Sequence, residues 1–153
     1  MEIRKPNIVE LESILKLSPQ ALFEGTLGRV RPTDERIKRL VEPLLERGRY
    51  YLIAAEKDNL MGWILIGSIK DQFTDEMIGF IYELYVTQEY RGKGISKHLM
   101  KSAIEHLQSE GYPEIRLGVF ADNHAVRLYK QMGFSERNIT MSLRMPCISQ
   151  AAR

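Results

Sequence analysis

The chain has 153 residues, 44% hydrophobic and 27% charged, with 22 basic against 20 acidic side chains. A chain of this length makes one domain that can bury roughly 70% of its surface without disulfides or a structural metal. A formal charge of +2 with no long basic run gives no electrostatic case for nucleic acid.

Glu2 to Arg4 fits a short strand, with no apolar stretch of signal-peptide length behind it. Asn7 and Glu10 have the spacing of a capping box, and Ile8, Leu11, Ile14 and Leu15 follow at helical intervals. Ser18 and Pro19 should end that helix, because the residue before a proline is pushed out of the helical region. Residues 18–32, with Gly25, Gly28 and Pro32 around Phe23 and Leu27, read as a loop. Thr33 opens a second helix with Asp34 and Glu35 at the positive end of its dipole. Its apolar stripe is Ile37, Leu40, Val41, Leu44 and Leu45; Pro43 should kink or split it, and Gly48 stops it.

Three strands come next, Tyr50 to Ala55, Met61 to Ile69 and about Ile78 to Val86. Asp58 and Asn59 supply the hairpin turn between the first two, and a polar loop with Asp71, Asp75 and Glu76 leads to the third. The longest apolar runs, such as Trp63–Ile66, are strand-sized and cannot span a membrane. A helix from about Gly92 to Ser109 buries Ile95, Leu99, Met100, Ala103, Ile104 and Leu107, and Gly111 ends it. Glu114 to Phe120 returns as a strand, Asn123 to Met132 is a short helix closed by Gly133, and Phe134 to Met145 reads as one or two terminal strands. No repeat, linker or low-complexity segment interrupts residues 1–145, which form one domain with a polar tail at 146–153. Cys147, the single cysteine, excludes an intramolecular disulfide and a cysteine zinc cluster, and points to a reducing, cytoplasmic setting.

The third strand, the helix at Gly92 and the strand at Glu114 make a β-helix-β crossover, whose ligand crevice lies at the carboxyl end of the first strand. Arg91 to Lys97 occupies that end. Gly92 and Gly94 can adopt positive φ and leave room beside the backbone, and the helix beyond them offers unpaired N–H groups to an anion such as phosphate. Arg91, Lys93, Lys97 and Lys101 add positive charge at the rim. The bland alternative is a glycine-rich turn before a solvated helix face. The dinucleotide fingerprint needs a third glycine where Lys97 stands, and GxxxxGK[ST] is absent, so neither NAD nor a nucleoside triphosphate is indicated.

Val86 to Ser96, VTQEYRGKGIS, resembles the R/Q-x-x-G-x-G/A signature of the GNAT superfamily of N-acetyltransferases. Arg91 and Gly94 match, and Ser96 stands where the family usually has Gly or Ala. GVFADNHAVRLYKQMGF resembles the family's N-x-x-A-x-x-L-Y-x-x-x-G-F stretch through Asn123, Ala125 or Val126, Leu128, Tyr129, Gly133 and Phe134. The resemblance implies an α/β (α+β) fold, with a mixed, mostly antiparallel central sheet of about six or seven strands and helices on both faces. It implies acetyl-CoA as acetyl donor, its pantetheine entering a split between two strands, and a small-molecule amine as acceptor. It also implies cofactor contacts at Leu84, Tyr85, Val86, Arg91, Gly92, Lys93, Gly94, Ile95, Ser96, Lys97, Asn123 and Tyr129, with Tyr129 as the acid that protonates the leaving thiolate. A non-catalytic coenzyme A sensor of the same fold is the rival class.

Attack by an amine needs a proton acceptor, and Glu83 is the candidate base, since its neighbours Tyr82, Leu84 and Tyr85 would desolvate it and raise its pKa. It could equally pair with a neighbouring cation, or bind the substrate's ammonium without taking a proton. Backbone N–H groups near Leu84 to Val86 are candidates for stabilising the oxyanion, aided if the strand carries a bulge. Asn123 either braces the cofactor or caps its helix, capping being the cheaper explanation. His98, His106 and His124 lack metal-ligand spacing, so no metal is expected. The acceptor groove draws on Phe23, Glu24, Tyr82 and Glu83, and the acids Glu24, Asp71, Asp75 and Glu76 lean towards a cationic amine such as a polyamine, an amino sugar or a lysine-like compound. Exposed strand edges would permit a homodimer.

Overall fold

The computed structural model describes residues 1–147. The elements, in chain order, are β1 (Glu2–Arg4), α1 (Ile8–Gly25), α2 (Asp34–Glu46), β2 (Tyr50–Glu56), β3 (Asn59–Lys70), β4 (Met77–Val86), a 3-10 turn (Gln88–Tyr90), α3 (Ile95–Ser109), β5 (Ile115–Leu117) and α4 (Val126–Gln131). The five strands form one sheet in sequence order, antiparallel from β1 to β4 and parallel between β4 and β5. The chain forms two compact units, Met1–Asn123 and the segment from His124 onward.

The capping box at the start of α1 is present: the Asn7 side chain accepts the Glu10 N–H at 2.8 Å, and the Glu10 carboxylate accepts the Asn7 N–H at 2.8 Å. Arg4 of β1 grips the same carboxylate at 2.7 and 2.9 Å, tying the first strand to the helix. Contrary to the sequence expectation, α1 does not end at Pro19 but runs on to Gly25, so much of residues 18–32 is helix. Ser18 Oγ donates to the Ile14 carbonyl at 2.7 Å, a bond that accompanies helix bending. Ala21 and Leu22 continue the stripe beyond the proline onto the core, and that burial offsets the lost backbone bond. Pro43 likewise fails to split α2, whose N-cap is Thr33 accepting from the Arg36 N–H at 3.2 Å.

The hairpin turn sits one residue earlier than expected. Glu56 pairs with Asn59, leaving Lys57 and Asp58 as the turn, with Lys57 at φ 55°. The pleat then divides the side chains. Tyr51, Ile53, Ala55, Trp63 and Leu65 form one core with Ile14 and Ala21 of α1 and Ile37 and Val41 of α2. α3 packs against β2, β3 and β4, burying Leu99, Met100, Ala103 and Leu107.

Five strands are present where six or seven were expected, because Phe134 to Met145 forms none among the described residues. Ile139, Met141, Leu143 and Met145 do alternate as a strand would, yet all four are exposed. Alternation alone cannot make a strand without a partner to accept its ladder bonds. No helix among the described residues is long and apolar enough to cross a membrane.

At Gly62 of β3 a Cβ would lie 2.6 Å from the Tyr85 carbonyl oxygen of β4. Gly62→Ala should therefore cost about 2 kcal/mol, a fall of roughly 4–8 °C in melting temperature. Gly118→Ala, where a Cβ meets nothing within 4 Å, should leave the melting temperature unchanged or slightly raised. Thermal denaturation of the two variants checks the contrast.

Candidate active site

β4 carries a bulge. Its register with β3 passes from Leu65↔Glu83 to Ile66↔Ile81, leaving Tyr82 as the extra residue. One inserted residue reverses the alternation, so Tyr82 and Glu83 both serve the face covered by α1 and α2. Pairing of β4 with β5 ends at Ile81↔Leu117. Beyond it, among the described residues, no strand borders that edge of Tyr82 to Val86, which includes Leu84, Tyr85 and Val86.

Tyr51, Leu65 and Glu83 form a row across β2, β3 and β4, and the next row is Ile53, Trp63 and Tyr85. Trp63 is fully buried and its Nε1–H donates to Glu83 Oε1 at 2.8 Å. Among the described residues, no lysine or arginine pairs with Glu83. Burial therefore dominates and pushes the carboxyl up from 4.5 to about 7, the indole bond working in the opposite direction. The Tyr51 hydroxyl, buried nearby without a hydrogen-bond partner among the described residues, has its pKa raised by burial and then by the Glu83 charge.

At the far end of β4, the Thr87 amide and hydroxyl both donate to the Met61 carbonyl, at 3.0 and 3.2 Å, clasping β4 to β3. Arg91 folds back: its Nε donates to the Val86 carbonyl at 2.9 Å and its Nη1 meets Glu24 Oε1 at 3.0 Å. The Tyr85 hydroxyl donates to the other Glu24 oxygen at 2.6 Å. Partial burial pushes Glu24 up, but bonds from Arg91 and Tyr85 outweigh it and hold the carboxyl below its usual value. Tyr85 rises to about 12 through burial and the Glu24 carboxylate. Glu24 thus braces the loop through Arg91.

Gly92 and Gly94 both lie in the left-handed region, at φ 78° and 77°, and a Cβ on either would meet nothing within 4 Å. Gly94 is the N-cap of α3 with no side-chain cap, and the first helical bond runs from the His98 amide to the Gly94 carbonyl at 3.2 Å. The amides of Ile95, Ser96 and Lys97 are the orphan donors of that helix start. Ile95 is buried and anchors it, while Lys93 sits over the Tyr90 ring at 5.4 Å and Lys97 is exposed. This open glycine cradle and its row of amides suit the phosphates of a coenzyme.

Phe23 lies beneath the Arg31 guanidinium at 4.2 Å. The Asn123 amide donates to the Phe120 carbonyl at 3.0 Å. α4 begins with Ala125 as N-cap, two residues beyond Asn123. Tyr129, in the C-terminal unit, has its phenol pKa raised by burial and meets the Phe134 ring edge-on at 6.2 Å. Among the described residues, no cluster of three or more His, Cys, Asp or Glu could hold a metal ion. Trp63 and Tyr51 escaped the sequence reading: Trp63 shares strand parity with Leu65, but nothing local says which residue of β4 it faces.

The Acetyltransferase (GNAT) family profile matches residues 12–134. The chain is similar to the uncharacterized N-acetyltransferase YycN of Bacillus subtilis, 29% identical over 127 residues covering 77% of this chain and 80% of that protein. It is also similar to the spermine/spermidine N(1)-acetyltransferase of Bacillus subtilis, 33% identical over 92 residues, 57% of each chain. Among solved structures, a putative acetyl transferase from Pyrococcus furiosus superposes with a TM-score of 0.79 at 28% identity, covering 94% of this chain and 99% of that one. An aminoglycoside 6'-N-acetyltransferase from Acinetobacter haemolyticus shares the fold at a TM-score of 0.75 and 15% identity, over 97% of this chain and 100% of that one.

The raised Glu83 pKa has a sign for stability. The folded state holds the proton more tightly than the unfolded state, so the linked stability is complete below about 4.5 and is lost as pH rises through about 7. The loss is on the order of 3 kcal/mol. Glu83→Gln should remove it: the variant should melt above the wild type at pH 8 and close to it at pH 5. A variant whose stability still falls over that interval as the wild type's does would assign the effect to another group.

Proposed function

The chain belongs to the Acetyltransferase (GNAT) family, and on that footing we propose that it transfers the acetyl group of acetyl-CoA to a primary amine of a small molecule, with Glu83 as base and Tyr129 as acid. The observation that carries the reading is the Glu83 carboxylate, held on an apolar face without a cationic partner among the described residues and poised at about 7. An alkylamine of pKa near 10.4 is under about 0.1% neutral at pH 7, so a base tuned to that pH has work to do. A coenzyme A sensor would have no use for one.

Acetyl-CoA supplies the activated acetyl carbon, whose bond to sulfur breaks as the amine nitrogen bonds to it. Gly92, Gly94 and the amides of residues 95–97 would hold its phosphates, with Lys93 and Lys97 adding charge. Arg91 acts as a brace for that loop, since its guanidinium is engaged by Glu24 and Val86. Glu83 removes the amine's proton, directly or through water, and Tyr129 donates one to the departing sulfur. The Tyr129 phenol is protonated at neutral pH, as a donor must be, and burial raises its pKa further. Backbone donors near Leu84 to Val86, on the open edge of β4, are assigned to the developing oxyanion. Residues 1–145 act together as the catalytic domain.

Millimolar acetyl-CoA should raise the melting temperature, as any ligand of the native state does. Gly94→Val, which crowds the cradle, should lose most of that shift even after its own backbone strain is subtracted. Identical melting with and without acetyl-CoA would overturn the cofactor assignment. Tyr129→Phe should keep acetyl-CoA affinity while kcat falls roughly 10²-fold, and wild-type kcat with chemistry rate-limiting would remove its role. Glu83→Gln should also slow turnover, by a factor that shrinks as pH rises and free amine accumulates.

A further inference from the structure

Between α1, α2 and the surface of β3 and β4 lies a cavity of about 150 Å³, walled by Leu22, Ile37, Leu40, Val41, Leu44 and Leu65. The hollow opens to solvent beside Leu40, and its volume matches an apolar group the size of benzene. Three polar residues also reach it, Ser18, Tyr82 and Glu83. Two of them are already engaged within the fold. The Ser18 hydroxyl donates to the Ile14 carbonyl at 2.7 Å. The Tyr82 hydroxyl donates to the Ser68 carbonyl at 2.7 Å and accepts from Arg49 Nε at 3.3 Å. Glu83 alone keeps acceptor capacity, since the Trp63 indole is its one donor among the described residues.

We propose that the acceptor is a primary monoamine on a compact apolar group, of phenyl or five-carbon size, seated in this cavity with its nitrogen at Glu83. The proposal rests on the acetyltransferase reading above. It departs from the cationic lean of the sequence, because three of the four acids behind that lean have partners and the fourth, Glu76, is solvent-exposed and does not line the cavity. Glu24 is held by Arg91 and Tyr85, Asp71 by Arg116 at 2.7 Å, and Asp75 by Lys70 at 3.6 Å. A second ammonium in the cavity would find aliphatic walls and no second carboxylate, with the Arg49 guanidinium held against Tyr82 to repel it. Burying an unpaired charge there is costly. The same cavity therefore disfavours a polyamine, the acceptor named for one of the relatives.

The chain has one tryptophan, Trp63, and its indole is bonded to Glu83. Its fluorescence reads occupancy of the cavity without any need for turnover. With coenzyme A present, pentylamine and phenethylamine should perturb Trp63 saturably, with Kd values at least tenfold below that of cadaverine, which differs from pentylamine by a second ammonium. With acetyl-CoA, kcat/KM should follow the same order. Leu40 is 46% exposed, so a charge there can stay hydrated, and Leu40→Glu should weaken the monoamines, improve cadaverine and leave the melting temperature near that of the wild type. Preference for cadaverine or spermidine in both binding and turnover would overturn the proposal and leave the acetyltransferase reading standing. Tight monoamine binding with no acetylation of any amine would support the cavity assignment and overturn the acetyltransferase reading instead.

Discussion

Glu83 is a carboxylate set into an apolar sheet face and held by a single indole N–H, and much of the architecture around it follows from that arrangement. An ion pair would have made the residue cheap to bury and useless as a base, since a neighbouring guanidinium would hold its pKa low. Trp63 supplies a donor without a charge. It orients the carboxylate while leaving burial to set the affinity for the proton. The fold accepts a less stable ionised state at the position where proton transfer is proposed. Carboxylates elsewhere are treated in the opposite way: Asp71, almost fully buried, receives Arg116 and the amides of Phe73 and Thr74, and is held well below its usual range.

The bulge at Tyr82 is what makes this possible on one strand. Without the extra residue, strict alternation would put Tyr82 and Glu83 on opposite faces. With it, Tyr82 packs on the α1–α2 core beside Glu83, and Arg49 is drawn across to its hydroxyl. The same strand parts from β5 after Ile81, so among the described residues no strand borders one edge of its last five residues, where the proposed thioester would lie. Two features of β4, an inserted residue and an early end to pairing, thus shape both sides of the candidate site.

The glycine loop shows a different economy of means. Positive φ at Gly92 and Gly94 turns the chain into α3 with no side chain in the way, and the donors are backbone amides that need no ordering. Arg91, the residue that stands out in the motif, is bound through Glu24 and the Val86 carbonyl to the rest of the fold. Its charge is partly neutralised by that contact. Through those two contacts Arg91 braces the loop.

Local sequence determined a good deal. The capping box at Asn7, the helix start at Thr33, the three central strands and the glycine-flanked start of α3 were all legible, because each depends on residues within one or two turns of one another. The two glycine motifs carried the family resemblance for the same reason. Prolines misled where burial of Ala21, Leu22 and Leu44 outweighed a missing backbone bond, and the alternation from Ile139 to Met145 misled because a strand also needs a neighbour. Glu83 could be picked out, but not its partner. Met77 to Val86 is apolar almost throughout, so no pattern marks Tyr82 as the extra residue or puts Trp63 opposite Tyr85 and within reach of Glu83. Whether that carboxylate would be salt-bridged or solitary, and whether the acids of the loops would be free or paired, depended on residues tens of positions away. Only tertiary packing decides which distant side chain arrives first.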